Sequence, residues 1–299
     1  MPVFLGNLPQ NVIVTFIIPT FNRAEKLKRV LEQVIQEKHK YYPQLEIIVM
    51  DGGSSDGTVN IIRSFAKDIA YWQSQPDKGL YDAFNQGLKH ATGSIIRFVA
   101  DDDVFLNGHT ATFVAYLQAH PDTIAVAGSD EQYMRTSQGI CFSGQTSFTG
   151  RLTMNRFAFM TNVWVTNECL FIRREFFDIE GGYDTSYPIS ADTDLKFRLL
   201  ATEKPVIILP ITILHKIYDQ ESLSIKTRNQ CAKDVLQILC KYGYWYYIPI
   251  FILNIGFAII FPEPKAKMLR RTIRLLMERA DYYLTVLTNG KRLRYTMPK

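Results

Sequence analysis

Cysteine is scarce in this 299-residue chain. Cys141, Cys169, Cys231 and Cys240 are the full complement, and no two stand in Cys-x-x-Cys spacing. No disulfide framework is expected, and reduced thiols in a cytoplasmic setting are. The glycine fingerprints Gly-x-Gly-x-x-Gly and Gly-x-x-x-x-Gly-Lys-Ser/Thr are both missing. A nucleotide would therefore have to be gripped through its base, its ribose and a metal-bridged diphosphate. His39, His90, His109 and His120 lack metal-ligand spacing. There is no internal repeat and no low-complexity tract. The opening MPVFLGNLPQNVIVTF has neither a basic start nor a long apolar core, so no signal peptide is expected.

The chain is long enough to bury a large core, as one domain or as one domain with an appendage. A hydrophobic fraction of 47% argues against disorder. The net charge of +5 is unevenly spread: residues 262–299 carry ten Lys/Arg against three acids, which leaves the preceding 261 residues at −2. The basic character belongs to the tail. It suits an anionic surface beneath the tail and argues against a nucleic-acid groove across the body.

At Ser94–Leu106, SIIRFVADDDVFL, an apolar run meets Asp101, Asp102 and Asp103. The run reads as a buried strand of a parallel sheet. Adjacent carboxylates repel unless a cation relieves them. In open α/β sheets, ligands sit outside the carboxyl ends of the strands. These residues therefore mark a candidate hard-cation site, and oxygen ligands favour magnesium or manganese. The alternative is a solvated turn that caps the next helix.

Similar units surround this stretch. Val12–Pro19 predicts a strand, with a loop over Thr20–Arg23. Leu27, Val30, Leu31, Val34 and Ile35 predict an amphipathic helix over Glu25–Lys40. A second strand covers Leu45–Met50, ending at Asp51, and the loop DGGSSDGT leads into a helix carrying Val59, Ile62 and Phe65. Ile69–Gln73 predicts a short strand, Pro76–Gly79 a turn and Leu80–Ala91 a helix. Further on, the pattern gives a helix over Thr110–Ala119, a strand over Ile124–Ser129, a loop over Gly144–Met160, a helix opening at Asp192 and a strand over Val206–Leu209. Strands alternating with helices, with Asp, Gly and Thr after each strand, describe a nucleotide-binding α/β sheet.

The stretches IIPTFNRAEKL, IIVMDGGSSDGT, SQPDKGLYDAFNQGLKHATGSIIRFVADDDVF and GGYDTSYPISADTDLKFRLL, in that order, resemble the inverting family 2 glycosyltransferases of bacterial surface-polysaccharide type. The likeness spans roughly residues 12 to 223. It implies a GT-A mixed sheet flanked by helices over residues 1–230, with a helical C-terminal region over 231–299. Pro19, Thr20, Phe21 and Arg23 would line the nucleobase side, and Asp51 would accept from a uracil or thymine imide, its alternative being a loop cap. Asp77 would also face the nucleotide, although Pro-Asp-x-Gly is a common turn, and Asn85 is a weaker candidate. Asp101 would meet the ribose and Asp102 the metal. Asp103 would be a second metal ligand or a helix cap, and His215 would lie in a loop that closes over the diphosphate. Asp192 would be the general base, a position that also suits a helix N-cap, with Glu168 and Asp194 as rivals. Relatives often carry His-Gln where this chain has Asn167-Glu168, a position facing the acceptor.

The activity so implied is sugar transfer from a UDP-sugar, or a dTDP-sugar, to a hydroxyl of a glycan, lipid-linked acceptor, with Mn²⁺ or Mg²⁺. A nucleotidyltransferase is a rival, but it needs a Gly-rich, Arg-containing loop where this chain has PTFNRAEKL. A non-catalytic binding module is another, and it leaves the candidate base unexplained. Residues 244–261, YWYYIPIFILNIGFAIIF, are uncharged and precede a basic amphipathic stretch over Met268–Leu287. Peripheral attachment to the inner face of the plasma membrane is the expectation, with packing on the body or on a second copy as the alternative.

Overall fold

The computed structural model describes residues 12–102, 104–136, 139–145, 152–153, 166–202, 204–218 and 227–243. β1 (Val14–Thr20), an apolar run, is buried along its whole length. β2 (Leu45–Asp51) and β4 (Ile95–Phe98) flank it in parallel, so that Ile17 lies opposite both Ile48 and Phe98. β3 (Tyr71–Ser74) extends the parallel group beyond β2. The connecting helices are α1 (Ala24–Gln36), α2 (Thr58–Ser64) and α3 (Leu80–His90). α1 buries Leu27, Val30, Leu31 and Val34, the stripe its spacing predicts. α3 comes close to the sheet at Gly87, where an added Cβ would stand 2.4 Å from Ile17 Cγ2.

The second half closes the sheet with mixed pairing. It comprises β5 (Val104–Phe105), α4 (Thr110–Ala119), β6 (Ala125–Thr136), β7 (Gly139–Gln145), β8 (Leu152–Thr153), β9 (Leu170–Arg173), α5 (Arg174–Glu180), α6 (Ala191–Ala201), β10 (Val206–Tyr218) and α7 (Arg228–Lys241). The order across the sheet is β3-β2-β1-β4-β9-β6-β10-β5, with β7 on β6 and β8 on β10. β9 runs antiparallel to both β4 and β6, and so joins the two halves. This is the mixed sheet with flanking helices that the sequence implies.

Three elements differ from expectation. α1 stops at Gln36 and gives way to a π turn, Glu37–Tyr41, because the buried Glu37 carboxylate turns inward to accept the amides of Gly108 and Thr110. β10 runs to Tyr218 rather than stopping at Leu209. The register breaks between Ile208 and Thr212, around Pro210, which has no amide to give the ladder, and pairing then resumes on β6. Part of the loop expected over Gly144–Met160 is strand: Gly144 and Gln145 end β7, and Leu152–Thr153 forms β8. The rest of that loop lies outside the described residues.

The domain boundary expected after residue 230 falls within the first turn of α7, which buries Val235, Ile238 and Leu239. The fully buried Asp234 accepts the Ile189 and Ser190 amides at 2.9 and 3.1 Å, which fixes the turn that starts α6. Asp103 and residues 244–299 lie outside the described residues.

Candidate active site

Three strands deliver side chains to one edge of the sheet. After β1, Asn22 takes a left-handed conformation (φ 52°), unusual for a residue with a Cβ but tolerated by Asn. Its amide donates to Ser54 Oγ at 2.7 Å, and its Oδ1 accepts the Ser55 amide at 2.8 Å. The Ala24 amide donates to Asp56 Oδ2 at 3.1 Å. These bonds lace the loop after β1 to the loop after β2. Asn22 and Ser54 thus form a scaffold that the sequence reading missed, together with Asp56, which the sequence offers as a cap for the next helix and which accepts the Thr58 amide at 3.1 Å; the Asx-type chemistry of DGGSSDGT was the signal.

On this scaffold, Asp51 is buried and accepts from Ser54 Oγ, from the Ser54 amide at 3.0 Å and from Ser74 Oγ at 2.5 Å. A carboxylate offers about four lone-pair sites, so one remains for a further donor. A Cβ on Gly52 would stand 2.9 Å from Asp77 Oδ2 and 3.3 Å from the ring of Phe21. Phe21, Asp51 and Asp77 are thus grouped around Gly52, and the Phe21 side chain is exposed beside it. Burial, then the charges of Asp82 and Asp51, push the Asp77 carboxyl up against the bond it accepts from the Gly79 amide. Asn85 is used structurally: its side chain pairs with the Tyr183 backbone in both directions.

At the end of β4, the buried Asp101 accepts from Thr20 Oγ1 at 2.8 Å and from Arg23 Nη1 at 3.1 Å. The same Arg23 nitrogen donates to Asp102 Oδ2 at 2.7 Å, and Lys26 Nζ lies 3.8 Å from that oxygen. Arg23, grouped with the nucleobase loop by resemblance, therefore turns its guanidinium to the aspartates. Burial raises the Asp101 carboxyl to about 6, with Arg23 opposing the rise. A cleft beside the pair is lined by Lys26, Arg29, Gln33, Val104, Arg135 and Ile217.

The donor set suits a hard divalent cation. Both carboxylates already converge on one positive atom, with Arg23 Nη1 standing in for an ion. Among the described residues no three metal-ligating side chains gather. His215 lies opposite Val104 on the neighbouring strand, with Nε2 3.2 Å from Glu131 Oε2, so it pairs with Glu131 rather than Asp102.

A second cluster gathers around the start of α6. Asp192 stands in the first turn of α6. Its Oδ2 takes Lys196 Nζ at 2.7 Å, and its Oδ1 takes the Tyr81 hydroxyl at 3.1 Å. Burial alone would raise its carboxyl, but the charge and hydrogen bond of Lys196 and the bond from Tyr81 hold it below the usual carboxylate range. Burial, then the Asp192 charge, keep the Tyr81 hydroxyl protonated and donating. Glu168 Oε2 pairs with Lys216 Nζ at 3.0 Å, and the Tyr183 hydroxyl holds Asn167 Oδ1 at 2.9 Å. The buried Arg97, boxed by Phe16, Phe105 and Phe171 at 4.5–5.1 Å, donates from Nε to the Glu168 carbonyl at 2.8 Å. Asp194 is committed elsewhere, to Arg198, Lys241 and the Tyr242 hydroxyl. Sequence reasoning missed Tyr81, Lys196, Lys216 and Arg97. Only Lys196, one helical turn beyond Asp192, carried a local signal.

Comparison with known proteins agrees with this fold. The family model "Glycosyl transferase family 2" matches residues 15–178. A PGL/p-HBAD biosynthesis glycosyltransferase of Mycobacterium bovis is 29% identical over 188 residues, which covers 62% of this chain and 68% of the relative. Among solved structures, the mannosyltransferase PcManGT from Pyrobaculum calidifontis, in complex with GDP-Man and Mn²⁺, superposes with a TM-score of 0.59. It is 18% identical, and the match covers 96% of this chain and 89% of that one. S. aureus TarS 1–349 in complex with UDP-GlcNAc gives 0.59 at 16% identity, covering 76% of this chain and 65% of that one. This chain spans 43% of the longer TarS chain. At these identities the structural matches show the shared fold.

Proposed function

This chain belongs to glycosyl transferase family 2, and on that premise we propose that it transfers a sugar, with inversion, from a UDP-sugar to a hydroxyl of a lipid-linked glycan acceptor. The observation that supports the reading is the grouping of Asp51, Asp101 and Asp102 at the ends of β2 and β4, the strands that flank β1, with Asp192 in a separate cluster in the first turn of α6. Phe21, Asp51 and Asp77 are assigned to the base, and the remaining acceptor site on Asp51 suits a uracil imide. A dTDP-sugar offers the same imide. Thr20 and Asp101 are assigned to the ribose, Asp102 and Arg23 to the diphosphate end.

Asp102, with Asp103, would hold Mn²⁺ or Mg²⁺, which would act as a Lewis acid that offsets charge on the departing UDP; His215, paired with Glu131, is not retained as a ligand. Asp192 accepts the proton of the acceptor hydroxyl as its oxygen attacks the anomeric carbon from the side opposite the diphosphate. Its depressed carboxyl is ionised at neutral pH and so is ready as a base. Tyr81 and Lys196 aim its two oxygens. Asn167 and Glu168 face the acceptor, and Glu168, paired with Lys216, is assigned to acceptor hydroxyls rather than to proton removal. The mycobacterial relative named for PGL/p-HBAD biosynthesis supports a glycolipid acceptor. The apolar and basic pattern of residues 244–299 supports attachment at a membrane surface.

Asp192→Asn tests the assignment. With UDP-sugars and Mn²⁺, turnover is expected to fall by about 10²–10⁴-fold while Mn²⁺-dependent UDP binding stays near wild type. Unchanged turnover would remove Asp192 from its role.

A further inference from the structure

We infer that Arg23 is the internal counter-ion of the Asp101–Asp102 pair, holding the carboxylates until metal and donor enter together and then pairing with the donor's diphosphate. The inference rests on the function proposed above. One guanidinium nitrogen lies 3.1 Å from Asp101 Oδ1 and 2.7 Å from Asp102 Oδ2. A divalent ion shared by these side chains has to compete for the lone pairs that Arg23 now holds. Arg23 cannot simply be lost to solvent without a cost, since its guanidinium then gives up two charge-assisted bonds.

The charges say where it goes. Asp101 and Asp102 face Arg23 and Lys26, and Arg29 and Arg135 line the adjoining cleft. A divalent ion entering alone adds positive charge beside these cations, and a diphosphate entering alone adds negative charge beside the two carboxylates. Each offsets the charge the other brings, and the coupling is reciprocal.

The local build suits such a transfer. The backbone around Arg23 is fixed, its own amide donating to Thr58 Oγ1 at 3.2 Å and its neighbours tied to Ser54 and Asp56. The side chain is 32% exposed, and both aspartates it holds line the cleft that Lys26, Arg29 and Arg135 border. A fixed root with a long, half-exposed tip lets the guanidinium change partners while the loop stays in place. Its planar fork matches phosphate oxygens in a way that a lysine's point charge does not.

Calorimetric titration of the full chain with Mn²⁺ alone, UDP alone and the two together, in wild type and in Arg23→Gln, tests this. The variant is expected to bind Mn²⁺ alone more tightly, by several-fold, and to bind UDP in the presence of Mn²⁺ about tenfold more weakly. Opposite signs are the signature, since a residue that merely shaped the loop would weaken both or neither. Arg23→Lys, which keeps the charge and the loop, is expected to bind Mn²⁺ near the wild-type level and to recover only part of the UDP affinity. Weakened or unchanged Mn²⁺ binding in Arg23→Gln overturns the inference while leaving the glycosyltransferase reading intact. A wild-type chain that binds neither Mn²⁺ nor UDP overturns both.

Discussion

At the scale of single residues, the proposed role of Asp192 turns on how its carboxylate is kept ionised. Lys196, only 4% exposed at its side chain, sits 2.7 Å from Asp192 and opposes the upward push of burial. A neighbouring positive charge favours the ionised carboxylate, so its removal raises the carboxyl. Lys196→Met is therefore expected to move the acid limb in the pH profile of kcat at saturating donor to higher pH, with activity lost as pH falls. In the wild type the limb from Asp192 should lie at lower pH, because its carboxyl is held below the usual carboxylate range. A Lys196→Met profile that parallels wild type would show that the lysine has no part in tuning the base. The aspartates themselves were legible in the sequence, since carboxylates at strand ends and helix starts are local signals. Their partners were not. Lys216 and Arg97 reach Glu168 from strands 48 and 71 residues away in sequence, and no local pattern predicts such contacts.

At the scale of elements, α7 carries a consequence for catalysis. Asp234 accepts the amides of Ile189 and Ser190, and Tyr81 donates to the Ile189 carbonyl at 2.9 Å as well as to Asp192. The turn that launches α6 is thus clamped from both sides, and Asp192 follows it by two residues. Asp234→Ala leaves two amides without an acceptor, which is expected to cost about 1–3 kcal/mol in stability and to lower kcat while sparing UDP affinity. Thermal unfolding and steady-state kinetics check this, and an equal loss of UDP binding would show that the clamp reaches the donor half too. The helices were readable because apolar residues recur at helical spacing, as in α1. β10 was cut short in the sequence reading because Pro210 is a strand-breaking signal, whereas a register shift carries the strand past it.

At the scale of the whole molecule, the parallel group β3-β2-β1-β4 was legible because strands and helices alternate in it. The antiparallel pairing of β9 with β4 and β6 was not, since it joins stretches far apart in sequence. No described helix is long and apolar enough to cross a membrane. The membrane attachment proposed above rests instead on residues 244–299, where an apolar stretch precedes a basic one in the sequence. A chain ending after Gly243 retains α7, so it is expected to keep UDP binding and to lose sedimentation with anionic vesicles. Equal sedimentation of the two forms would place attachment elsewhere. The central claim is that the acidic edge of this sheet exists to hold a divalent ion against a nucleotide diphosphate. Titration of UDP into the full chain, with and without Mn²⁺, beside the Asp102→Asn variant tests it most directly. The account predicts that Mn²⁺ tightens UDP binding by about tenfold or more in wild type and that Asp102→Asn abolishes the gain. Equal UDP affinity with and without the ion, or a gain that survives the substitution, would contradict it.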